Sequence, residues 1–192
     1  MSAIRETLER IEVWLELNYL PGINALQPGL TLTEIQERIK ELPFDLPTEV
    51  FELYQWRNGT KLEAHKLQAM CFDSMIFCSL NYVIERTKEI LEVANELDIK
   101  YDDELLFPIF EFEGEYLASV MSINVQVNCS PIVYITKIGE VSFKYPSLST
   151  MLQVIARGYE TGAYYVGRQG YIERNYTKIK EIMDQYVVVD HN

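Results

Sequence analysis

Residues 2–17 place Ile4, Leu8, Ile11 and Leu15 at steps of four, three and four, one apolar stripe of an α-helix. Arg5, Glu6, Glu9, Arg10 and Glu12 cover its other side. Pro21-Gly22 and Pro28-Gly29 then punctuate a loop. That loop is the candidate hinge between an N-terminal helix at 1–20 and a main body at 25–190. Thr31 and Glu34 form a T-x-x-E capping box, in which each side chain satisfies a free backbone N–H. The helix it opens carries Leu32, Ile35, Ile39 and Leu42 and ends before Pro43. A third helix starts at Pro47, buries Val50, Leu53 and Tyr54, and closes on Asn58-Gly59, two residues that tolerate a left-handed cap. Residues 67–72 read as a short strand. The helical period returns over 79–97, with Val83, Ile84, Thr87, Ile90, Leu91, Ala94 and Leu97 on one side.

The period then changes from 3.6 to 2. Phe110 and Phe112 alternate with Glu111 and Glu113, Gly114 supplies a turn, and residues 116–122 run back as the second arm of a β-hairpin. Residues 132–136 are apolar on both faces and read as a central strand. A turn at Ile138-Gly139 leads to residues 141–145, with Val141, Phe143 and Tyr145 on one face. Two helices close the chain. One starts near Ser147 and carries Leu148, Met151, Leu152, Ile155 and Tyr159. The other spans 171–186 through Ile172, Tyr176, Ile179 and Met183. Helices, then strands, then helices define an α+β fold with a largely antiparallel sheet between N-terminal and C-terminal helices.

Composition changes the picture mainly through charge. The 192 residues hold 17 Lys+Arg against 29 Asp+Glu, a net charge of −12. Phosphate backbones and anionic lipid surfaces repel such a chain, so neither nucleic acid nor membrane is an expected partner. An apolar fraction of 48% with 12% aromatics is too rich for a disordered acidic chain. Cys71, Cys78 and Cys129 are odd in number and irregularly spaced, which fits buried small side chains in a reducing cytoplasm. The first residues form a charged periodic segment, not a signal peptide, and no apolar run has the length of a membrane span.

The chemistry-bearing residues are few. His65 and His191 are the two histidines, and the nine glycines form no phosphate-binding loop. Trp56 reads as core, and Tyr159, Tyr164, Tyr165 and Tyr171 as boundary or interface residues around a glycine-dotted loop. No catalytic residue, cofactor or metal is expected. Between Lys100 and Lys137 there is no base, yet there are six acids: Asp102, Asp103, Glu104, Glu111, Glu113 and Glu115. On a strand Glu111 and Glu113 would share a face, with Glu115 in the turn beside them. Three readings stay open for this cluster. It is a solvated sheet edge that discourages aggregation, a docking face for a basic protein, or a divalent-metal or catalytic carboxylate-pair site.

The stretch Gly29–Ile35 (GLTLTEI), then Leu46-Pro47, Leu53-Tyr54, Trp56 and Asn58-Gly59, resembles the signature of the SUKH superfamily, which includes the Smi/Knr-type cell-wall-assembly regulators. Phe107–Phe110, Glu113–Tyr116, Ile132–Tyr134 and the helix after Ser147 resemble its strands and later helix, so the likeness runs over roughly 25–165. The resemblance implies a binding module without catalysis. Bacterial members of the superfamily resemble immunity proteins that neutralise toxins, many of them nucleases. On that footing the six acids are the partner-binding candidates and the partner is a protein, such as a basic toxin domain. The alternative use is an intracellular scaffold or regulator, including a homodimer joined through its tyrosine-rich C-terminal helices.

Overall fold

The computed structural model describes residues 2–61, 63–96, 104–122 and 128–186. Its first helix, α1 (Ala3–Asn18), is capped by Ser2, whose hydroxyl accepts from the Arg5 N–H. The predicted stripe Ile4, Leu8, Ile11 and Leu15 is fully inside. Residues 21–29 are not a loop. Pro21 stands in the first turn of α2 (Leu20–Ala25), where a missing N–H costs nothing, and the chain continues into strand β1 (Leu26–Pro28). The capping box opens α3 (Leu32–Ile39) as predicted, with Glu34 N–H on Thr31 Oγ1 at 3.2 Å and Thr31 N–H on Glu34 Oε2 at 2.8 Å. Leu32 is nevertheless exposed, so this helix buries only Ile35 and Ile39. Helix α4 (Thr48–Trp56) follows Pro47 and buries Val50, Leu53 and Tyr54.

Asn58-Gly59 does more than end a helix. It lies in strand β2 (Arg57–Thr60), antiparallel to β1. The expected left-handed residue is present, since Gly59 has φ +71. Asn58 caps a different helix: its Oδ1 accepts the Leu80 N–H at 3.0 Å, at the start of α6 (Leu80–Glu96). Residues 67–72 are not a strand either. They hold the short helix α5 (Lys66–Ala69) and lead into a tight turn over Phe72–Met75, with strand β3 (Ile76–Phe77) after it.

Strands β4 (Glu104–Phe112), β5 (Glu115–Ser122), β6 (Ile132–Ile135) and β7 (Val141–Tyr145) join β3 in one antiparallel sheet of order β3-β4-β5-β6-β7. The sheet is followed by α7 (Leu148–Glu160), capped by Ser147 and buried through Leu148, Met151, Leu152, Ile155 and Tyr159 as predicted. The last helix, α8 (Tyr176–Tyr186), starts five residues later than the apolar spacing suggests. Residues 164–174 form a hairpin instead, β8 (Tyr164–Val166) with β9 (Ile172–Arg174), and Asn175 Oδ1 accepts the Lys178 N–H to open the helix. Ile172 and Tyr176 therefore share no helical stripe; Ile179 and Ile182 bury the helix.

One hydrophobic cluster runs through α1, α4, α7 and the sheet. Trp14 stacks on Tyr159, and Phe72, Phe77, Phe110 and Tyr54 form an aromatic group at its centre. Trp56 is half-buried against it, edge-on to Phe72. A charged group is built into the same interior. Glu49, 5% exposed, accepts the N–H groups of Ser130, Leu148 and Ser149 at 2.9, 3.1 and 3.0 Å. It joins α4 to the segment before β6 and to the positive end of α7. Burial pushes its carboxyl above the usual range, and the three N–H groups pull the other way.

Candidate partner-binding face

The hairpin of β4 and β5 turns on Glu113 and Gly114, with φ +50 and +86. The type I′ two-residue turn, whose twist matches that of its strands, needs positive φ at both positions. It therefore takes Glu113 out of the strand and starts β5 at Glu115. Pairing then sets Glu111 opposite Tyr116 and Phe112 opposite Glu115. The expected arrangement, with Glu111 and Glu113 on one strand face and Glu115 in the turn, is not the one adopted. Cross-strand partners share a face and neighbours alternate, so Glu111 and Glu115 project from opposite faces and Glu113 stands at the tip.

Their surroundings differ accordingly. Glu111 is half-buried beside α6 and accepts the Tyr82 hydroxyl at 3.0 Å; burial and then Glu111 push that phenol up. Glu113 is exposed and lies 3.5 Å from Lys137 Nζ. Glu115 faces a cleft on the other side of the sheet, where its carboxylate raises the Tyr134 phenol. Glu104 heads β4 opposite Ser122. Asp102 and Asp103 lie outside the described residues.

Beside this hairpin the sheet ends in an apolar row. Ile135 pairs with Val141 and Val133 with Phe143. Val141 and Phe143 are 53% and 58% exposed. Tyr145 was expected on the same face, but a bulge between Ile132 and Val133 pairs it with Ile132 and turns it fully inward. No local pattern in VSFKY signals that bulge. The result is an open row, with Glu111, Tyr116, Ile135 and Val141 successive neighbours across the strands.

The cleft below Glu115 encloses about 540 Å³ and is floored by a charged group that pattern reading passes over. Asp73 and Ser74 form the Phe72–Met75 turn with φ +52 and +64. Asp73 is 7% exposed. Its carboxylate accepts the Tyr145 hydroxyl at 3.1 Å, the Tyr164 hydroxyl at 3.0 Å and Arg174 Nη1 at 2.8 Å. Burial and the nearby carboxylate push both phenols up, so they remain donors. Arg174 also lies 4.6 Å over the Tyr176 ring. The local signal was an Asp-Ser dipeptide between apolar runs, which favours a turn but not its burial.

The remaining chemistry-bearing residues are not assembled. Cys71 and Cys78 are buried and free, and burial pushes the Cys71 thiol to about 12. Cys129 is exposed, against the expectation that all three cysteines are interior. It stands in the segment before β6, where no element among the described residues covers it. His65 stacks on Tyr171, and the Cys71 thiol donates to the Gln68 carbonyl instead of meeting His65. Among the described residues no group of His, Cys, Asp and Glu side chains is placed to hold a metal, and no helix is long and apolar enough to cross a membrane.

Comparison with known proteins finds no curated relative that matches the chain. The sequence model of the SMI1 / KNR4 family (SUKH-1) does match, over residues 29–154. That span runs from two residues before the capping box, through the β4–β5 hairpin and the open β7 row, into α7. Outside it lie α1, α2, β1, the end of α7, the β8–β9 hairpin and α8; α1 and α8 pack on α7. With the greater part of its length matched, the chain belongs to the SMI1 / KNR4 family (SUKH-1).

Proposed function

We propose that this chain is a non-catalytic protein-binding module that neutralises a basic protein toxin by docking an acidic face. A nuclease is the toxin type that fits best, because an active site built for phosphates is basic and a carboxylate-rich surface imitates its substrate. The contact residues in this reading are Glu111 and Glu113 with Asp102, Asp103 and Glu104 before them, whereas Glu115, expected among them from the sequence, faces the cleft on the other side of the sheet. The supporting observation is that Glu111 and Glu113 border an exposed apolar row, since an apolar centre with a charged rim is the anatomy of a protein interface. Family membership supports a binding role, and a net charge of −12 supports a basic partner.

The test is co-expression with a basic nuclease toxin domain taken from a gene neighbouring that of this chain, if one is encoded there, followed by binding of the purified pair. Rescue of growth is expected. Reversing Glu111 and Glu113 to Lys should weaken binding and flatten its salt dependence. Unchanged affinity with an unchanged salt slope would remove these residues from the interface.

A further inference from the structure

We propose that the open β7 edge takes an extended basic segment of the partner protein as an added strand. The inference rests on the protein-binding reading above and specifies how the contact is made. The backbone comes first. The Thr136 N–H donates to the Glu140 carbonyl at 2.9 Å. Antiparallel pairs alternate between bonded and unbonded positions. The next β7 residue bonded to β6 is therefore Ser142, opposite Tyr134. Val141 and Phe143 consequently direct their N–H and C=O groups to the free side. Among the described residues no strand lies beyond β7 to receive them.

The side chains agree with the backbone. Val141 and Phe143 are also the two exposed apolar residues of the strand. An incoming strand would thus find backbone partners and apolar neighbours at the same two positions, which is the chemistry of strand addition. Its residues opposite Val141 and Phe143 would be apolar, at alternate positions. The bulge turns Tyr145 inward and ends the usable edge at Phe143, so the added strand is short.

Charge selects the occupant. Glu113 and Glu140 stand at the turn end of this edge, with Glu111 in the same row as Val141. Lys137, the base of that turn, is already engaged by Glu113. A second copy of the chain would bring another −12 to the contact, whereas a lysine- or arginine-bearing segment meets opposite charge.

The probe is a short synthetic peptide of alternating valine and lysine, titrated into the full chain with amide exchange followed by NMR. Two control peptides accompany it, one N-methylated at the strand-pairing amides and one with glutamate for lysine. The expected result is slowed exchange at Val141 and Phe143 with the basic peptide alone, and affinity that falls with salt. Phe143→Lys should weaken it by about tenfold. Peptide binding without protection at these two amides, equal binding of the N-methylated peptide, or no binding overturns the edge assignment. None of those outcomes touches the toxin-neutralising reading, which the rescue assay decides separately.

Discussion

The two edges of the five-stranded sheet are managed in opposite ways. At one end β3 is two residues long, and β2 closes over the chain that follows it. Gly59 makes that approach: a Cβ there would fall 2.3 Å from the Ser79 nitrogen and 2.4 Å from the Cys78 carbonyl carbon. At the other end β7 is five residues long, carries two exposed apolar side chains and, among the described residues, has no strand on its outer side. Open apolar edges invite pairing and are commonly shortened, charged or covered. Here shortening and covering are applied at β3. The comparison marks the β7 end as the side of the sheet available for a partner.

Asp73 links the two ends. It sits in the turn that feeds β3 and accepts a hydroxyl from Tyr145, the last residue of β7. Asp73→Ala would leave the Tyr145 and Tyr164 hydroxyls without their acceptor in a buried site, would leave Arg174 only the backbone carbonyl of residue 73, and would put Ala at φ +52. We expect a loss of about 3–5 kcal/mol, measured by urea denaturation. A loss below about 1 kcal/mol would mean that the two ends are not coupled through this carboxylate. Gly59→Ala tests the closed edge alone. The steric conflict is with backbone atoms and the conformation is left-handed, so a loss of about 2–3 kcal/mol is expected in the same measurement. Phe143→Lys tests the open edge and should change stability by less than about 0.5 kcal/mol, because the ring packs mainly against solvent. A large destabilisation there would show that the β7 row is part of the core and not a surface kept for binding.

Much of the fold was readable before the structure. The stripe of α1, the Thr31–Glu34 box, Pro47 at the start of α4, the hairpin around Gly114 and the Ser147 cap of α7 are local features, each decided by residues within a turn of one another. The misreadings came where a local preference had more than one use. Asn58-Gly59 promised left-handed backbone and supplied it, but in a strand whose asparagine caps a helix more than twenty residues away. Ile172 and Tyr176 had helical spacing, yet the Asn175 cap and the pairing of Tyr164 with Arg174 claimed the first of them for a hairpin.

The candidate face shows the same division. The run of acids without a base was visible in the sequence, and so was the hairpin that carries half of them. The direction of each carboxylate was not. Alternation along a strand holds only until a turn or a bulge shifts the count by one, and such a shift sends every later side chain to the other face. One shift at Glu113-Gly114 separated Glu111 from Glu115, and another beside Ile132 buried Tyr145 while leaving Phe143 outside. The sequence alone determined the family, the α+β class and the acidic balance, because these follow from composition and short-range pattern. Only the tertiary structure decided which edge stays open, which acids border it and which carboxylates go inside, because those depend on register and on donors from distant elements converging on one point.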